Sequence, residues 1–318
     1  MSRSVLITGA AGYLGSLLTA DLVADPGGLS AIVATDIRAP AAPVEGVTFV
    51  ESDVRDPGLG ALLRAHDVDV VVHLAAIVTP GKQPDRELEY SIDVGGTRNV
   101  LEACLAAGVG KVVVSSSGAA YGYHADNPEW IDELDPLRGN PEFAYADHKR
   151  IVEETLADWR ERHPDLRQLI FRPGTILGAG TRNQITDLFD RPVVLGIRGS
   201  ETPFVFIWDR DVVACLRRGI ETDATGIFNL AGDGSMPLRS IAAALGKRYV
   251  ALPAGAVRAA LGVMRRVGAT QYGPEQVDFL RYRPVLSNRR LKEEFGYTPQ
   301  KTTEETFAAF LEGRRAQA

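Results

Sequence analysis

The feature that most constrains this chain is a glycine-rich turn within its first forty residues. A short apolar run leads into Thr8-Gly9-Ala10-Ala11-Gly12-Tyr13-Leu14-Gly15, a helix-like run follows, and a second apolar run ends at Asp36. A strand, a glycine turn, a helix, a second strand and an acidic residue about 20 positions beyond the glycines form the layout of a dinucleotide-binding unit. The sequence therefore predicts a cofactor site.

Each glycine of this turn has its own predicted task. Gly9 lets the backbone turn sharply off the strand, Gly12 lets the main chain approach a pyrophosphate, and Gly15 lets the helix pack closely against the sheet. The free N–H groups at the start of the helix, at Tyr13 and Leu14, would hold the phosphates. The alternative is a turn without a ligand, but the register of strand, helix and acid favours cofactor binding.

Asp36 indicates which dinucleotide is bound. Its carboxylate can accept hydrogen bonds from both adenosine ribose hydroxyls, whereas a 2′-phosphate would meet a negative charge there. Asp36 therefore favours NAD over NADP, and Arg38, two residues further on, could soften that preference.

Composition excludes several other classes of protein. With 318 residues, the chain fits one large α/β domain or a core domain with a smaller lobe. The formal net charge of −6 disfavours a nucleic-acid partner. Cys104 and Cys215 form no disulfide framework and have no metal-ligand spacing, so both are predicted core residues. The histidines are scattered, and we expect no metal site.

No targeting or membrane segment is expected. The first predicted strand starts at residue 4, which leaves no room for a signal peptide. The longest apolar stretch, 70–78, includes His73 and is too short to span a bilayer. We therefore expect a cytoplasmic protein with no membrane partner.

The first half of the chain alternates strands and helices. Strands are predicted at about 4–8, 31–35, 47–50, 69–74, 111–115 and 167–172, and helices at about 13–25, 57–66, 86–107 and 142–162. This order predicts an α/β fold, a doubly wound parallel sheet of the Rossmann type. A smaller, mostly C-terminal substrate lobe completes the prediction.

The pattern changes after residue 173. Residues 174–200 have no clear period and are predicted to form a loop-rich segment over the cofactor. Short strands are predicted at 204–207 and 227–230, and helices at about 209–220, 237–245, 254–266, 287–294 and 303–313. We expect an NAD-binding domain at 1–173, with 203–232 returning to it, and a substrate-binding lobe at 174–318.

Tyr145 and Lys149 are the candidate catalytic pair. A spacing of four places both on one face of a predicted helix. A free tyrosine, with a pKa near ~10, is a poor base, but a neighbouring ammonium and an oxidised nicotinamide ring both favour the phenolate. Tyr145 could then remove a hydroxyl proton while hydride leaves the same carbon.

A serine-rich segment, 115–117, follows the strand predicted at 111–115. Ligands of open parallel sheets bind beyond the carboxyl ends of the strands, where a hydroxyl can hold a substrate oxygen beside the tyrosine. The alternative is a strand terminus with local backbone bonds. The glycine turn, the serine segment and the helix with Tyr145 and Lys149 converge on one edge of the predicted sheet. This convergence favours the catalytic interpretation of the serine segment.

These motifs resemble the extended short-chain dehydrogenases/reductases of the NAD-dependent epimerase/dehydratase group. The similar segments are the glycine turn, Asp53-Val54, His73-Leu74-Ala75-Ala76, 96–103, Arg172-Pro173 and 286–299. The resemblance implies adenine contacts for Asp53 and Val54, a cofactor cleft lined by Leu74, Ala75 and Ala76, and Pro173 beside the nicotinamide. It also implies that Ser117, Tyr145 and Lys149 are catalytic, and that a homodimer forms through the helices near 86–107 and 142–162.

Departures from the family pattern carry further information. Asp93 stands where the family often has asparagine; an ionised carboxylate cannot donate a hydrogen bond, so either the usual proton relay is altered or Asp93 starts a helix. Gly118 and Ala119 replace the acidic pair of the dehydratases, which disfavours dehydration. The asparagine that sugar-nucleotide epimerases often place after the arginine of the sixth strand is missing at 171–174.

Three functions follow as hypotheses. The first, which the missing dehydratase and epimerase markers favour, is an NAD-dependent dehydrogenase or reductase that acts on a small alcohol or carbonyl compound. The second is a nucleotide-sugar 4-epimerase with tightly bound NAD, in which Arg182, Arg191 and Arg198 either contact phosphates or are ordinary surface charges. The third is a non-catalytic NAD-binding protein, which the intact Ser117, Tyr145 and Lys149 disfavour.

Overall fold

The computed structural model describes residues 3–40, 42–78, 85–201, 203–268, 270 and 273–317. Its strands are β1 Arg3–Thr8, β2 Leu29–Asp36, β3 Thr48–Glu51, β4 Val70–His73, β5 Lys111–Ser115, β6 Arg167–Pro173, β7 Thr175–Leu177, β8 Val193–Ile197, β9 Pro203–Phe204, β10 Phe206–Trp208, β11 Gly226–Leu230, β12 Met236–Pro237 and β13 Arg248–Leu252.

The helices follow the same chain order. They are α1 Tyr13–Ala24, α2 Leu59–Ala65, α3 Arg86–Tyr90, α4 Gly96–Ala107, α5 Ala144–Arg162, α6 Gln184–Asp190, α7 Asp209–Glu221, α8 Leu238–Ala244, α9 Ala254–Arg266, α10 Gln276–Arg281, α11 Arg289–Glu293 and α12 Thr303–Gln317. A π-helical turn, Ser91–Gly95, joins α3 to α4, and a 3₁₀ turn, Gly118–Tyr121, follows β5.

A seven-stranded parallel sheet forms the centre of the described chain. Its strand order is β3-β2-β1-β4-β5-β6-β11, and every neighbouring pair is parallel. The order reverses between β1 and β4, where Thr8 lies opposite His73. Ligands of doubly wound sheets bind at such a reversal. The predicted fold class is confirmed.

The inner strands of this sheet are largely apolar, as in the first three residues of β4, because helices cover both faces. Val5 and Ile7 pack towards one apolar cluster, which includes Cys215 of α7, and the intervening Leu6 packs towards another, which includes Cys104 of α4. Both cysteines are fully buried, as the sequence predicts. The two faces of the sheet therefore have separate cores.

The helix predicted at 86–107 is interrupted by the π-helical turn. Asp85 caps the start of α3 by accepting a hydrogen bond from the backbone N–H of Leu88, so the helical run begins there. Asp93 lies inside the π turn and is buried, so the interpretation of Asp93 as a helix-start residue is wrong. Single π turns inside helices frequently mark functional sites.

The segment 174–200 is more regular than the sequence predicts. It contains β7, α6 and β8, and a reciprocal capping box between Asn183 and Thr186 starts α6. These elements have three, seven and five residues, too few to show a periodic pattern. The same reason explains why β13 and α10 were not predicted.

The C-terminal part of the chain has its own apolar core. Phe189, Phe204, Phe206, Phe307 and Phe310 pack together there. β11, from the segment predicted to return to the first domain, joins the sheet beside β6. The domain boundary itself stays a prediction. In the described part of the chain, no helix has the length and apolar character needed to cross a bilayer.

The close approach of α1 to the turn after β1 yields a stability prediction. A methyl group added at Gly15 would lie 2.2 Å from the carbonyl oxygen of Gly9, whereas one added at Gly255, in α9, would have no heavy atom of the described residues within 4 Å. We expect Gly15→Ala to lower the free energy of unfolding by about 1–3 kcal/mol, as overpacking does. Gly255→Ala, the matched control, should be neutral or slightly stabilising. Urea unfolding measures both, and equal values would contradict this packing.

Candidate functional site

The glycine turn has the geometry of an anion site. Gly9 has a φ of 68°, and a Cβ there would lie 2.7 Å from the backbone nitrogen of Ala75. Gly12, the N-cap of α1, has no side chain to cap the helix, and the first turn carries no acidic residue. The first N–H groups of α1 are therefore available to a phosphate at the carboxyl edge of the sheet.

Asp36 lies beside this turn at the end of β2. Its carboxylate accepts a hydrogen bond from the backbone N–H of Ala11 at 3.0 Å and another from the N–H of Arg38 at 3.3 Å. The carboxylate is therefore fixed beside the turn while one face remains partly exposed. The side chain of Arg38 is exposed and lines a cavity at the carboxyl edge of the sheet.

A cavity of about 670 Å³ opens at the carboxyl edge of the sheet, between the glycine turn and the ends of β5 and β6. It brings together most of the predicted site residues: Gly9, Gly12, Tyr13, Leu14, Gly15, Leu74, Ala76, Ser117, Tyr145, Lys149 and Pro173. Asp36, Asp53, Val54 and Ala75 lie outside its lining.

The predicted adenine contacts have protein partners of their own. The carboxylate of Asp53 pairs with Arg55 at 2.6 Å, and this hydrogen bonding holds the pKa of Asp53 below its usual value. Val54 is buried, and a Cβ on Gly96 would lie 2.6 Å from its methyl group. The backbone of Ala75 packs closely against Gly9. Adenine contacts for Asp53 and Val54 stay predictions.

Tyr145, Lys149 and Ser117 meet at the end of β5. The Lys149 ammonium lies 5.8 Å from the centre of the Tyr145 ring and donates a hydrogen bond to the carbonyl of Ser115 at 2.9 Å. The hydroxyl of Ser117 lies beside the Tyr145 phenol and accepts a hydrogen bond from the N–H of Ala119. A hydroxyl, a phenol and an ammonium group thus share one corner of the cavity.

Burial dominates the electrostatics of this corner. It raises the pKa of Tyr145 to about 12; the hydrogen bond from Ser117 acts in the opposite direction, and the charge of Asp93 adds to the rise. Burial lowers the pKa of Lys149, while the charges of Asp93 and Glu153 raise it. The sequence predicts that Lys149 lowers the pKa of the Tyr145 phenol. In the structure, burial has the largest influence on the pKa of Tyr145, and burial raises it.

A buried histidine connects the turn to the helix behind it. The Nδ1 atom of His73 lies 2.8 Å from the hydroxyl of Thr8, and its Nε2 atom lies 3.1 Å from the hydroxyl of Thr97 in α4. Burial lowers the pKa of His73 to about 3, so the ring is neutral. This ring joins β1, β4 and α4 below the cavity.

Tyr13 ties the segment after β7 to the glycine turn. Its hydroxyl donates to the carboxylate of Asp209 at 2.6 Å and accepts from the hydroxyl of Thr181 at 2.9 Å. A Cβ on Gly178 would lie 1.8 Å from the Asp209 carboxylate, so only glycine fits there. Segment 178–183 is consequently held over the start of α1.

A second buried network aligns the ends of β5 and β6. Arg172 and Glu153 form an ion pair at 2.6 Å, and the hydroxyl of Ser116 donates to Glu153 at 2.6 Å. Arg172 also donates to the hydroxyl of Tyr121. Because Glu153 lies one turn after Lys149, this network fixes α5, which carries Tyr145 and Lys149, against both strands.

Sequence reasoning missed Arg283, which lines the same cavity. Its guanidinium group lies 4.2 Å from the ring centre of Phe204 and 4.8 Å from that of Phe279, and Nη2 donates to Thr175 at 3.3 Å. The Nη1 atom is buried, and within the described residues it has no hydrogen-bond partner and no acidic side chain pairs with the group. The only local signal is a pair of arginines in the aromatic segment 279–283.

The three arginines considered for phosphate binding differ in their position relative to the cavity. Arg182 lines the cavity. Arg191 and Arg198 are exposed and lie outside its lining. For those two, the surface-charge interpretation is the better one, because neither reaches the cavity.

Comparison with known proteins agrees with this geometry. Residues 5–235 match the NAD dependent epimerase/dehydratase family. The uncharacterized protein Rv0501 of Mycobacterium tuberculosis is 27% identical over 317 residues, which cover 98% of this chain and 84% of that protein. A UDP-glucose 4-epimerase of Erwinia amylovora is 32% identical over 191 residues, which cover 57% of this chain and 56% of that enzyme.

A solved structure shares the fold over the full length. The UDP-glucose 4-epimerase of Thermotoga maritima, crystallised with UDP-glucose, superposes with a TM-score of 0.76 at 19% identity and covers 99% of both chains. The family match spans most of the chain and includes the glycine turn, Tyr145 and Lys149. The chain therefore belongs to the NAD-dependent epimerase/dehydratase family of enzymes, as its resemblance predicted, with NAD as the cofactor.

Proposed function

We propose that this protein is a nucleotide-sugar 4-epimerase, which oxidises and re-reduces one carbon of its substrate with a retained NAD. The observation that carries this proposal is Arg283, a cation in the same cavity as Tyr145 with no acidic partner in the described chain. A buried guanidinium group without a counter-charge costs free energy unless an anion binds to it. A diphosphate is such an anion.

The residues at the glycine turn fit NAD. The turn leaves no room for a Cβ at Gly9 or Gly15, and α1 begins there with free N–H groups that would hold the pyrophosphate. The Asp36 carboxylate would bind the adenosine ribose and repel a 2′-phosphate. Bound at this turn, NAD would supply the hydride acceptor and donor, and the positive charge of its oxidised ring would favour the phenolate of Tyr145.

Tyr145 would act as the acid and base. Its pKa of about 12 keeps the phenol protonated near neutral pH, ready to donate a proton to a carbonyl oxygen. As a base, the phenol needs stabilisation of its anion. Hydrogen bonding with Ser117 lowers the pKa of Tyr145, and the Lys149 ammonium group, 5.8 Å from the ring centre, would add a positive charge. Lys149, bonded to the Ser115 carbonyl, would hold the nicotinamide ribose.

Arg283 and Arg182 supply the charge that a nucleoside diphosphate requires. Two phenylalanines clamp the Arg283 guanidinium group, so its donors are fixed in direction. The related enzymes named above act on UDP-glucose, according to their names. We infer that a UDP-sugar is the substrate class.

A net dehydrogenase acting on a less polar alcohol is the second candidate. Tyr123, Phe279, Val205 and Ile185 line the same cavity and favour an apolar group. Dehydration remains disfavoured by Gly118 and Ala119, which supply no acid or base after Ser117. A purely NAD-binding role would leave the Ser117, Tyr145 and Lys149 cluster without a task.

We also infer the oligomeric state and the location. A homodimer through the exposed faces of α4 and α5 is expected, and Leu105, 44% exposed on α4, is available to such a contact. A cytoplasmic location is expected for an enzyme that uses NAD and nucleotide sugars. Size-exclusion chromatography with light scattering tests the dimer.

Removal of the phenolic hydroxyl tests the role of Tyr145. We expect Tyr145→Phe to lower kcat for the interconversion of UDP-glucose and UDP-galactose by about 10²–10⁴-fold, the usual contribution of a positioned acid–base group. NAD affinity, measured by calorimetry, should remain within about twofold, because the ring stays in place. Undiminished turnover in this variant would contradict the assigned role.

Removal of the Arg283 guanidinium group tests the substrate class. We expect Arg283→Met to raise the Kd for UDP about tenfold or more, since one or two charge-assisted hydrogen bonds are lost. Arg266→Met, an exposed position on α9, is the matched control and should leave the Kd unchanged. If UDP binds both variants equally, no diphosphate lies at Arg283.

Removal of the ribose acid tests the cofactor preference. We expect Asp36→Ala to weaken NAD binding about tenfold, because hydrogen bonds to a charged group are lost, and to improve NADP binding. Glu45→Ala, an exposed acid beyond the same strand, is the control. Calorimetric titration with both dinucleotides measures the change, and an unaltered ratio of the two affinities would contradict the contact.

A further inference from the structure

A buried acid–histidine pair lies behind the catalytic residues. The Oδ2 atom of Asp93 is 3.2 Å from Nδ1 of His148, and each side chain is 1% exposed. The Oδ1 atom of Asp93 accepts a hydrogen bond from the backbone N–H of Ile77 at 2.9 Å. Ile77 belongs to the loop after β4 that lines the cavity, and His148 immediately precedes Lys149 on α5. Asp93 therefore connects the cavity loop to the catalytic helix.

The contacts of this pair indicate its net charge. The Nε2 atom of His148 is buried and has no hydrogen-bond partner in the described chain. A neutral ring with its proton on Nδ1 satisfies the Asp93 contact and leaves one unpaired acceptor. A doubly protonated ring would leave a buried N–H donor at Nε2 without a partner, and an unpaired buried donor costs free energy. With the neutral ring, the pair carries the single negative charge of Asp93.

That charge acts on both catalytic residues. It raises the pKa of Lys149, against the lowering caused by burial, and it also raises the pKa of Tyr145. The other groups that face the cluster are Glu89 and Tyr90 beside His148, Glu153 beside Lys149, and Ser117 and Tyr123 beside Tyr145. The charges of both Lys149 and Asp93 act on His73, which is neutral because burial lowers its pKa. A negative charge at Asp93 therefore favours an ammonium form of Lys149.

We propose that Asp93 and His148 are positioning residues for the catalytic pair. The bonds of the Asp93 carboxylate to His148 and Ile77 fix the start of α5 against the cavity loop, and the carboxylate charge favours the ammonium form of Lys149. An amide at position 93 would accept the Ile77 bond but carry no charge. This inference rests on the proposed function, in which Tyr145 and Lys149 do the chemistry.

The charge of Asp93 is tested by Asp93→Asn, which retains size and the Ile77 bond. The full-length protein is labelled with [13Cε]lysine, Lys149→Met assigns the Lys149 signal, and the signal is titrated with pH in the absence of substrate. We expect the midpoint of Lys149 to fall by about one pKa unit in Asp93→Asn, so that the fraction of neutral amine rises about tenfold. Asp211→Asn, a buried acid on the opposite face of the sheet, is the control and should leave the midpoint unchanged.

The geometry of His148 is tested by two amide variants. The side-chain nitrogen of asparagine can replace Nδ1 of histidine, whereas that of glutamine replaces Nε2, which has no partner here. We expect His148→Asn to keep the wild-type Lys149 midpoint. His148→Gln should lower it towards that of Asp93→Asn, because a buried carboxylate that loses an N–H donor favours its neutral form.

These titrations test the inference without a measurement of enzymatic activity. An unchanged Lys149 midpoint in Asp93→Asn, or identical midpoints in the two His148 variants, would overturn it. If Asp93→Asn does not fold, the comparison of His148→Asn with His148→Gln still decides. Failure of the proposed function would appear differently: nucleotide sugars would not react, while the Lys149 midpoint would still follow the charge of Asp93.

Discussion

The contact between the start of α1 and the turn after β1 is the constraint on which the site depends. The backbone at Gly15 approaches the Gly9 carbonyl so closely that no side chain fits between them, and Gly9 in turn contacts the backbone at Ala75. Three elements are thereby joined at the point where the strand order reverses. The N-terminus of α1 can face a pyrophosphate only because these contacts leave no side chain in the way.

The other constraint on the site is that each of its buried positive charges requires a partner. Lys149 meets a carbonyl and lies within the field of Asp93, and Arg172 is paired with Glu153, so each of these cations has a partner within the chain. Arg283 differs, because a threonine hydroxyl, two aromatic rings and the phenol of Tyr123 face its guanidinium group, and no carboxylate of the described chain pairs with it. An anion from outside the chain is the simplest complement to this group.

The sequence predicts the local features of this protein well. The glycine turn, the acid at the end of β2 and the Tyr145–Lys149 spacing are short-range patterns, and their positions follow from the periods of strands and helices. The parallel sheet follows from the alternation of elements. Each of these features depends on residues that are near one another in the chain.

Features that depend on distant residues were not predicted. The isolation of Arg283 results from the packing of Phe204 and Phe279, distant in the chain, against its guanidinium group and from the absence of an acid among its described neighbours. The apolar pattern of the sequence does not indicate the π-helical turn that buries Asp93. The partner of Asp93, His148, lies on α5, more than fifty residues further along the chain. The short elements β7, α6 and β8 are fixed by packing and capping more than by periodicity.

The central claim is that one cavity holds NAD and a nucleotide sugar while Tyr145 exchanges the proton. Its most direct test supplies the NAD-loaded protein with UDP-glucose deuterated at C4 of the sugar. We predict UDP-galactose that retains the deuterium at C4, without net accumulation of reduced nicotinamide. Deuterium that accumulates in released, reduced nicotinamide, or nucleotide sugars that remain unchanged, would contradict the account.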